Sequence, residues 1–161
     1  MTNLPQLLAE VCALVQKQYD DKKVALIQDY AQDLPPVPLD PGGVHQAVLN
    51  LLNNALDAVE PEAGVVTLRG TYDAAGERVI LRVIDNGEGI PSQVMKRLFE
   101  PFHSTKGLRG TGLGLVVTKK VVDEHGGQIH VDSKRKQGTT FTIALPTNLG
   151  QAPTSAETHG A

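Results

Sequence analysis

Residues 101–116 read Pro-Phe-His-Ser-Thr-Lys-Gly-Leu-Arg-Gly-Thr-Gly-Leu-Gly-Leu-Val, and this run constrains the chain more than any other stretch. Gly107, Gly110, Gly112 and Gly114, with Lys106 and Arg109, stand where a helix opens at Leu113. Glycines let backbone N–H groups approach a ligand closely, and a helix N-terminus attracts anions. The run therefore predicts a phosphate site. It is not a Walker loop, because no Gly-Lys-Ser/Thr follows a four-residue gap. It is not the dinucleotide fingerprint either, because Gly110, Gly112 and Gly114 alternate with single residues.

A chain of 161 residues suffices for one domain with a real core. Its net charge of −3 offers no global basic field to nucleic acid or to an anionic membrane. No apolar run has the length of a membrane span, and no signal peptide opens the sequence. The single cysteine, Cys12, excludes an internal disulfide and suits a reducing compartment, so a cytoplasmic location is expected. Residues 147–161 hold one large apolar side chain, Leu149, and are expected to form a disordered tail after a domain spanning 1–146.

Leu4, Leu8, Val11 and Val15 recur at helical spacing and predict a helix to about Tyr19. Residues 24–30 read as a strand, and three prolines in 34–38 impose an extended path. Asp40-Pro41 is a cap followed by a first-turn proline, opening a helix to about Val59. Residues 65–73 and 77–85 predict a hairpin, 91–99 a short helix, and 113–125 a helix stopped by Gly126-Gly127. Residues 128–132 and 139–145 predict the last strands. Val79, Leu81 and Val83 face one way and Ile80, Arg82 and Ile84 the other; Thr139, Phe141, Ile143 and Leu145 likewise oppose Thr140, Thr142 and Ala144. Arg69, Arg82 and His130 mark one sheet face as wet, so helices must cover the other. The expected fold class is α+β, a two-layer sandwich.

Gln46, Asn50, Asn53, Asn54 and Asp57 share one stripe of the second helix, whose remaining positions are mostly apolar. Amide oxygens suit a hard cation such as Mg²⁺. Taken alone, the stripe reads equally as a solvated polar face. In Asp85-Asn-Gly-Glu-Gly-Ile, Asp85 continues the inward face of its strand and needs donors, of which an adenine amino group is one. Gly87 and Gly89 would let backbone approach such a base. Taken alone, this segment reads as an Asp-Asn-Gly turn before it reads as a ligand site.

In order along the chain these segments resemble the catalytic ATP-binding domain of bacterial sensor histidine kinases, in the ATPase superfamily shared with DNA gyrase and the large heat-shock chaperones. Residues 50–58 look like the asparagine box and 85–90 like the first glycine box. Residues 98–106 look like the phenylalanine box, 110–115 like the second glycine box, and Gly138-Thr-Thr140-Phe like the terminal strand motif. The resemblance runs from about Leu4 to Pro146.

The resemblance implies a mixed, mostly antiparallel sheet with helices on one face, and a site for ATP and Mg²⁺. Asp85 would bond the adenine amino group, with Thr140 assisting through water. Asn54 would hold Mg²⁺ with Asn50 beside it, and these two with Lys106 are the implied catalytic residues. Gly112 and Gly114 would offer backbone N–H groups to the phosphates, with Gly110, Thr111 and Leu115 also in the nucleotide site, and Thr105, Lys106 and Arg109 would belong to a mobile lid that includes His103. Ala58, Ile90, Phe102 and Leu113 would line the apolar wall, next to Gly87 and Gly89. The chemistry implied is phosphoryl transfer by positioning and charge neutralisation.

Where hydrolysing relatives carry a water-activating glutamate, this chain has Asn50, a poor base, and slow hydrolysis is expected. Many histidine kinases carry a lysine where this chain has Asp57, although some of the nitrogen-regulatory type carry Asp. The phosphate charge would then fall on Mg²⁺, Lys106 and Arg109.

The five histidines, His45, His103, His125, His130 and His159, include none in the His-Glu-Leu/Ile setting of a phosphoacceptor. The expected partners are therefore a separate dimerisation and phosphoacceptor domain, and a response-regulator receiver domain. The chain reads as a fragment of a longer sensor, membrane-anchored or not. The alternative is a stand-alone serine kinase of the anti-sigma-factor kind; Asn50 and the segment 101–106 weigh against it.

Overall fold

The computed structural model describes residues 1–100 and 114–147. The elements run α1 (Leu4–Lys22), β1 (Ala25–Tyr30), α2 (Pro41–Ala58), β2 (Val65–Asp73), β3 (Arg78–Asp85), α3 (Ser92–Met95), α4 (Gly114–Glu124), β4 (Gln128–Lys134) and β5 (Gly138–Pro146). The sheet order is β1-β2-β3-β5-β4. Only the β1–β2 pairing is parallel. The expected α+β sandwich with a mixed, mostly antiparallel sheet is what forms.

Alternation decides which face is buried. Val79, Leu81, Val83 and Asp85 point inward from β3, and Thr139, Phe141, Ile143 and Leu145 from β5. Leu4, Leu8, Val11 and Val15, the predicted α1 stripe, lie in the same core with Val48, Leu51 and Leu52 of α2. On the outer face Arg69 lies opposite Arg82 and pairs with Asp29 at 2.9 Å. That face is the wet one the arginines predicted.

Local chemistry sets the element ends. Asn3 caps α1, and Lys23 closes it in the left-handed region at φ 61°, its N–H returning to α1 carbonyls. Val24 is held by that closing turn through the Tyr19 carbonyl, so β1 begins one residue later than expected. Asp40 caps α2 as predicted, its Oδ1 accepting the Gly42 N–H. The predicted helix over 91–99 keeps only Ser92–Met95. Beyond it Arg97, Leu98 and Glu100 donate to carbonyls three residues back, a tighter winding that carries Leu98 into the core.

Candidate functional site

Asp85 ends β3, 7% exposed. Its Oδ1 accepts the Gly87 N–H at 2.8 Å and the Thr139 N–H at 3.3 Å. The carboxylate is thus set at the rim of the core, on the helix side of the sheet. The loop after it is tied on every side. Asn86 accepts the Val65 N–H and donates to the Ala63 carbonyl. Glu88 N–H donates to the Ala58 carbonyl, the last residue of α2, at 3.1 Å, and the Glu88 carbonyl accepts the Lys136 N–H at 2.7 Å. Ile90 N–H donates to Ser133 Oγ at 2.8 Å, and Ser133 lies 2.8 Å from Thr139 Oγ1.

The fold itself requires the glycines of this loop. A Cβ on Gly87 would strike the Ala58 carbonyl, and one on Gly89, at φ +80°, would strike the Lys134 carbonyl. Both residues let protein backbone approach protein backbone, wedging the loop between α2 and the β4–β5 turn.

The other end of the site is built on α2. Of its polar stripe, Gln46 and Asn53 are exposed while Asn50, Asn54 and Asp57 are half-buried. Asn50 Nδ2 donates to the Gly114 carbonyl at 3.1 Å, and Thr118, fully buried, donates to the same carbonyl at 2.9 Å. Asn50 and Ala58 stand about 12 Å apart along the helix axis. The glycine loop therefore meets the C-terminal end of α2 and the start of α4 meets its middle, a layout suited to an elongated ligand with unlike ends. Asn54 lies between Asn50 and Ala58 along the helix, half-buried, and its side chain makes no hydrogen bond to any described residue. One uncommitted amide oxygen beside an open face fits Mg²⁺, which keeps most of its waters and takes few protein ligands. Among the described residues no group of three His, Cys, Asp or Glu forms a metal cluster.

Helix α1 braces this arrangement from behind. Tyr19, fully buried, donates to the Leu52 carbonyl at 2.6 Å, and Lys22 Nζ donates to the Leu56 carbonyl at 2.6 Å. Burial pushes the Tyr19 phenol well above its usual range, and the charges of Cys12, Asp85 and Asp57 add to the shift.

Thr140 requires a correction. In register Asp85 lies opposite Thr139, and Ile84 opposite Thr140. Side chains alternate across a strand, so Thr140 points to the outer face, away from Asp85. Thr139, buried, occupies the position expected of Thr140. The signal was in the sequence: Thr139 shares its parity with Phe141 and Ile143, as Asp85 does with Val83. Ser133, Thr118, Tyr19 and Lys22 had no such signal.

Ala58, Ile90, Gly114 and Leu115 are half-buried around the site. Phe102, His103, Thr105, Lys106, Arg109, Gly110, Thr111, Gly112 and Leu113 lie outside the described residues, as does the tail from 148 onward. Thr147, expected in the tail, instead donates to the Glu77 carbonyl through N–H and Oγ1.

Residues 39–149 match the family described as histidine kinase-, DNA gyrase B- and HSP90-like ATPase. The chain belongs to that family. Among sequences it is similar to sporulation kinase A of Bacillus subtilis (strain 168), 38% identical over 144 residues that cover 89% of this chain and 23% of that protein. The chain therefore spans less than a quarter of that relative. Among solved structures it is similar to full-length ShkA in complex with AMPPNP, at TM-score 0.81 and 30% identity, covering 90% of this chain and 30% of that one. It is also similar to the histidine kinase ThkA in complex with the response regulator protein TrrA, at TM-score 0.77 and 25% identity, covering 92% and 42%. The family's matched span takes in α2, the Asp85 loop and β5, the three elements that converge above.

Proposed function

We propose that this domain binds ATP with Mg²⁺ and presents the γ-phosphoryl group to a histidine on a separate dimerisation domain, from which it passes to an aspartate of a response regulator. The observation that carries the reading is the buried Asp85 carboxylate, oriented by two backbone N–H groups beside the C-terminal end of an amide-striped helix whose middle meets the start of α4. At the Asp85 end the carboxylate accepts the adenine amino group, beside Thr139. At the α4 end, Asn54 supplies its amide oxygen to Mg²⁺ and the helix start faces the phosphates. Mg²⁺ neutralises phosphate charge when bound, together with Lys106 and Arg109. Ala58, Ile90 and Leu115, with Phe102 and Leu113, give the base an apolar wall.

The ShkA structure with AMPPNP and the ThkA structure with its response regulator support the nucleotide and the partner respectively. Asn50 is an amide engaged on both sides, so it cannot act as a base toward water, and ATP turns over slowly without an acceptor. No helix among the described residues is long and apolar enough to cross a membrane. We place the domain in the cytoplasm, where ATP and a receiver domain are both available. The test is incubation with γ-labelled ATP, Mg²⁺ and a dimerisation domain from the parent kinase. Label should reach the acceptor histidine and not this chain. Label on a histidine of this chain, or none on the acceptor, would overturn the proposal.

A further inference from the structure

Gln46 is exposed on α2, and nothing about its position marks it as more than a solvated side chain. Its amide nevertheless donates to Asn50 Oδ1 at 2.9 Å, one helical turn away. The consequence lies on the far side of Asn50. The Gly114 carbonyl can only accept, so Asn50 must offer it an N–H. That leaves the Asn50 carbonyl needing a donor, and Gln46 is the donor it has. A flipped Asn50 amide would set two carbonyl oxygens against each other at the start of α4. Thr118 completes the junction, donating to Gly114 and standing 3.5 Å from Asn50 Nδ2.

We infer that Gln46 is a positioning residue: without meeting nucleotide, it fixes the direction of the Asn50 amide and thereby holds the first turn of α4 against α2. Its effect on nucleotide rests on the ATP reading above, because α2 carries Asn54 and α4 opens toward the phosphates. A surface Gln–Asn pair at this spacing ordinarily adds only a little helix stability. Gln46 differs because the amide it orients spans two elements.

Three variants separate this from a generic surface role. Gln46→Leu removes the donor without charge. Gln46→Glu keeps the shape and can only accept, so it competes with Gly114 for the Asn50 N–H. Gln46→Lys still donates. Two readouts are needed: the Asn50 side-chain NH₂ resonances in the nucleotide-free protein, and the Kd for Mg-ATP by calorimetry. In Gln46→Leu and Gln46→Glu the Asn50 signals should move and binding should weaken about five- to tenfold. In Gln46→Lys both should stay near the parent. A charge effect alone would leave Gln46→Leu like the parent and would overturn the inference, as would unmoved Asn50 signals in Gln46→Glu. If the parent itself failed to bind Mg-ATP, the nucleotide reading would fall, while the Asn50 signals would still decide whether Gln46 orients that amide.

Discussion

His125 Nε2 accepts the backbone N–H of Asp40 at 2.9 Å, joining the residue after α4 to the cap of α2 across 85 positions of sequence. Its Nδ1 donates to the Val121 carbonyl at 2.8 Å, which fixes the tautomer that leaves Nε2 as acceptor. Together with Asn50 and Gly114, this contact holds α4 to α2 near both ends. Replacing His125 by Leu keeps bulk but leaves the Asp40 N–H without its partner. The expected loss is about 1–3 kcal/mol, read as a lower urea midpoint with unchanged m-value.

Asp85→Asn preserves volume and an acceptor for Gly87 and Thr139. It also turns an amino group toward the adenine amino group, donor against donor. Mg-ATP should bind about 10- to 100-fold more weakly by calorimetry, with the thermal midpoint of the free protein little changed. GTP should bind the parent poorly, because guanine presents a carbonyl where adenine has its amino group. Equal affinity for both nucleotides would contradict the role given to Asp85.

The Thr139 and Thr140 assignment is separable by paired variants. Thr139→Val removes a buried hydroxyl beside Asp85 and should weaken Mg-ATP binding several-fold. Thr140→Val alters only the outer face of the sheet and should bind like the parent. The reverse order, measured by the same titration, would contradict the register argument.

Burial pushes the Cys12 thiol and the Tyr19 and Tyr30 phenols above their usual ranges. An unfolded chain ionises such groups near ~8.5 and ~10, while the folded chain keeps them protonated. Unfolding then releases protons, so stability is full below about pH 8.5 and declines as pH rises from there toward the folded values. Urea midpoints should be flat from neutral pH to about 8.5 and fall more steeply beyond 10. Tyr19→Phe should cost about 1 kcal/mol at neutral pH through its lost bond to Leu52. It should also flatten the alkaline decline by up to about 1.4 kcal/mol per pH unit.

Local chemistry was legible in the sequence; contacts between distant segments were not. Leu4, Leu8, Val11 and Val15 announce α1 because burial on one helix face imposes their spacing, and Asp40-Pro41 announces α2 because capping is a matter of adjacent residues. Asp85 could be turned inward by counting along β3. The same count assigns Thr139 rather than Thr140, once the parity of β5 is set against that of β3. Gly87 and Gly89 were visible as necessary glycines, but what they approach, Ala58 and Lys134, depends on how α2 and the β4–β5 turn converge. The α1 brace of Tyr19 and Lys22, and the His125 contact with Asp40, join segments whose separation carries no periodic signal.

The most direct test is amide chemical-shift mapping of this chain on titration with Mg-AMPPNP. Shifts are predicted at the two ends of the site in one saturating process: at residues 85–90 and Thr139, and at residues 50–58 and 114–118. Shifts confined to one of these ends, or displaced to the outer face around Arg82 and Ile84, would contradict a single nucleotide spanning Asp85 and α4.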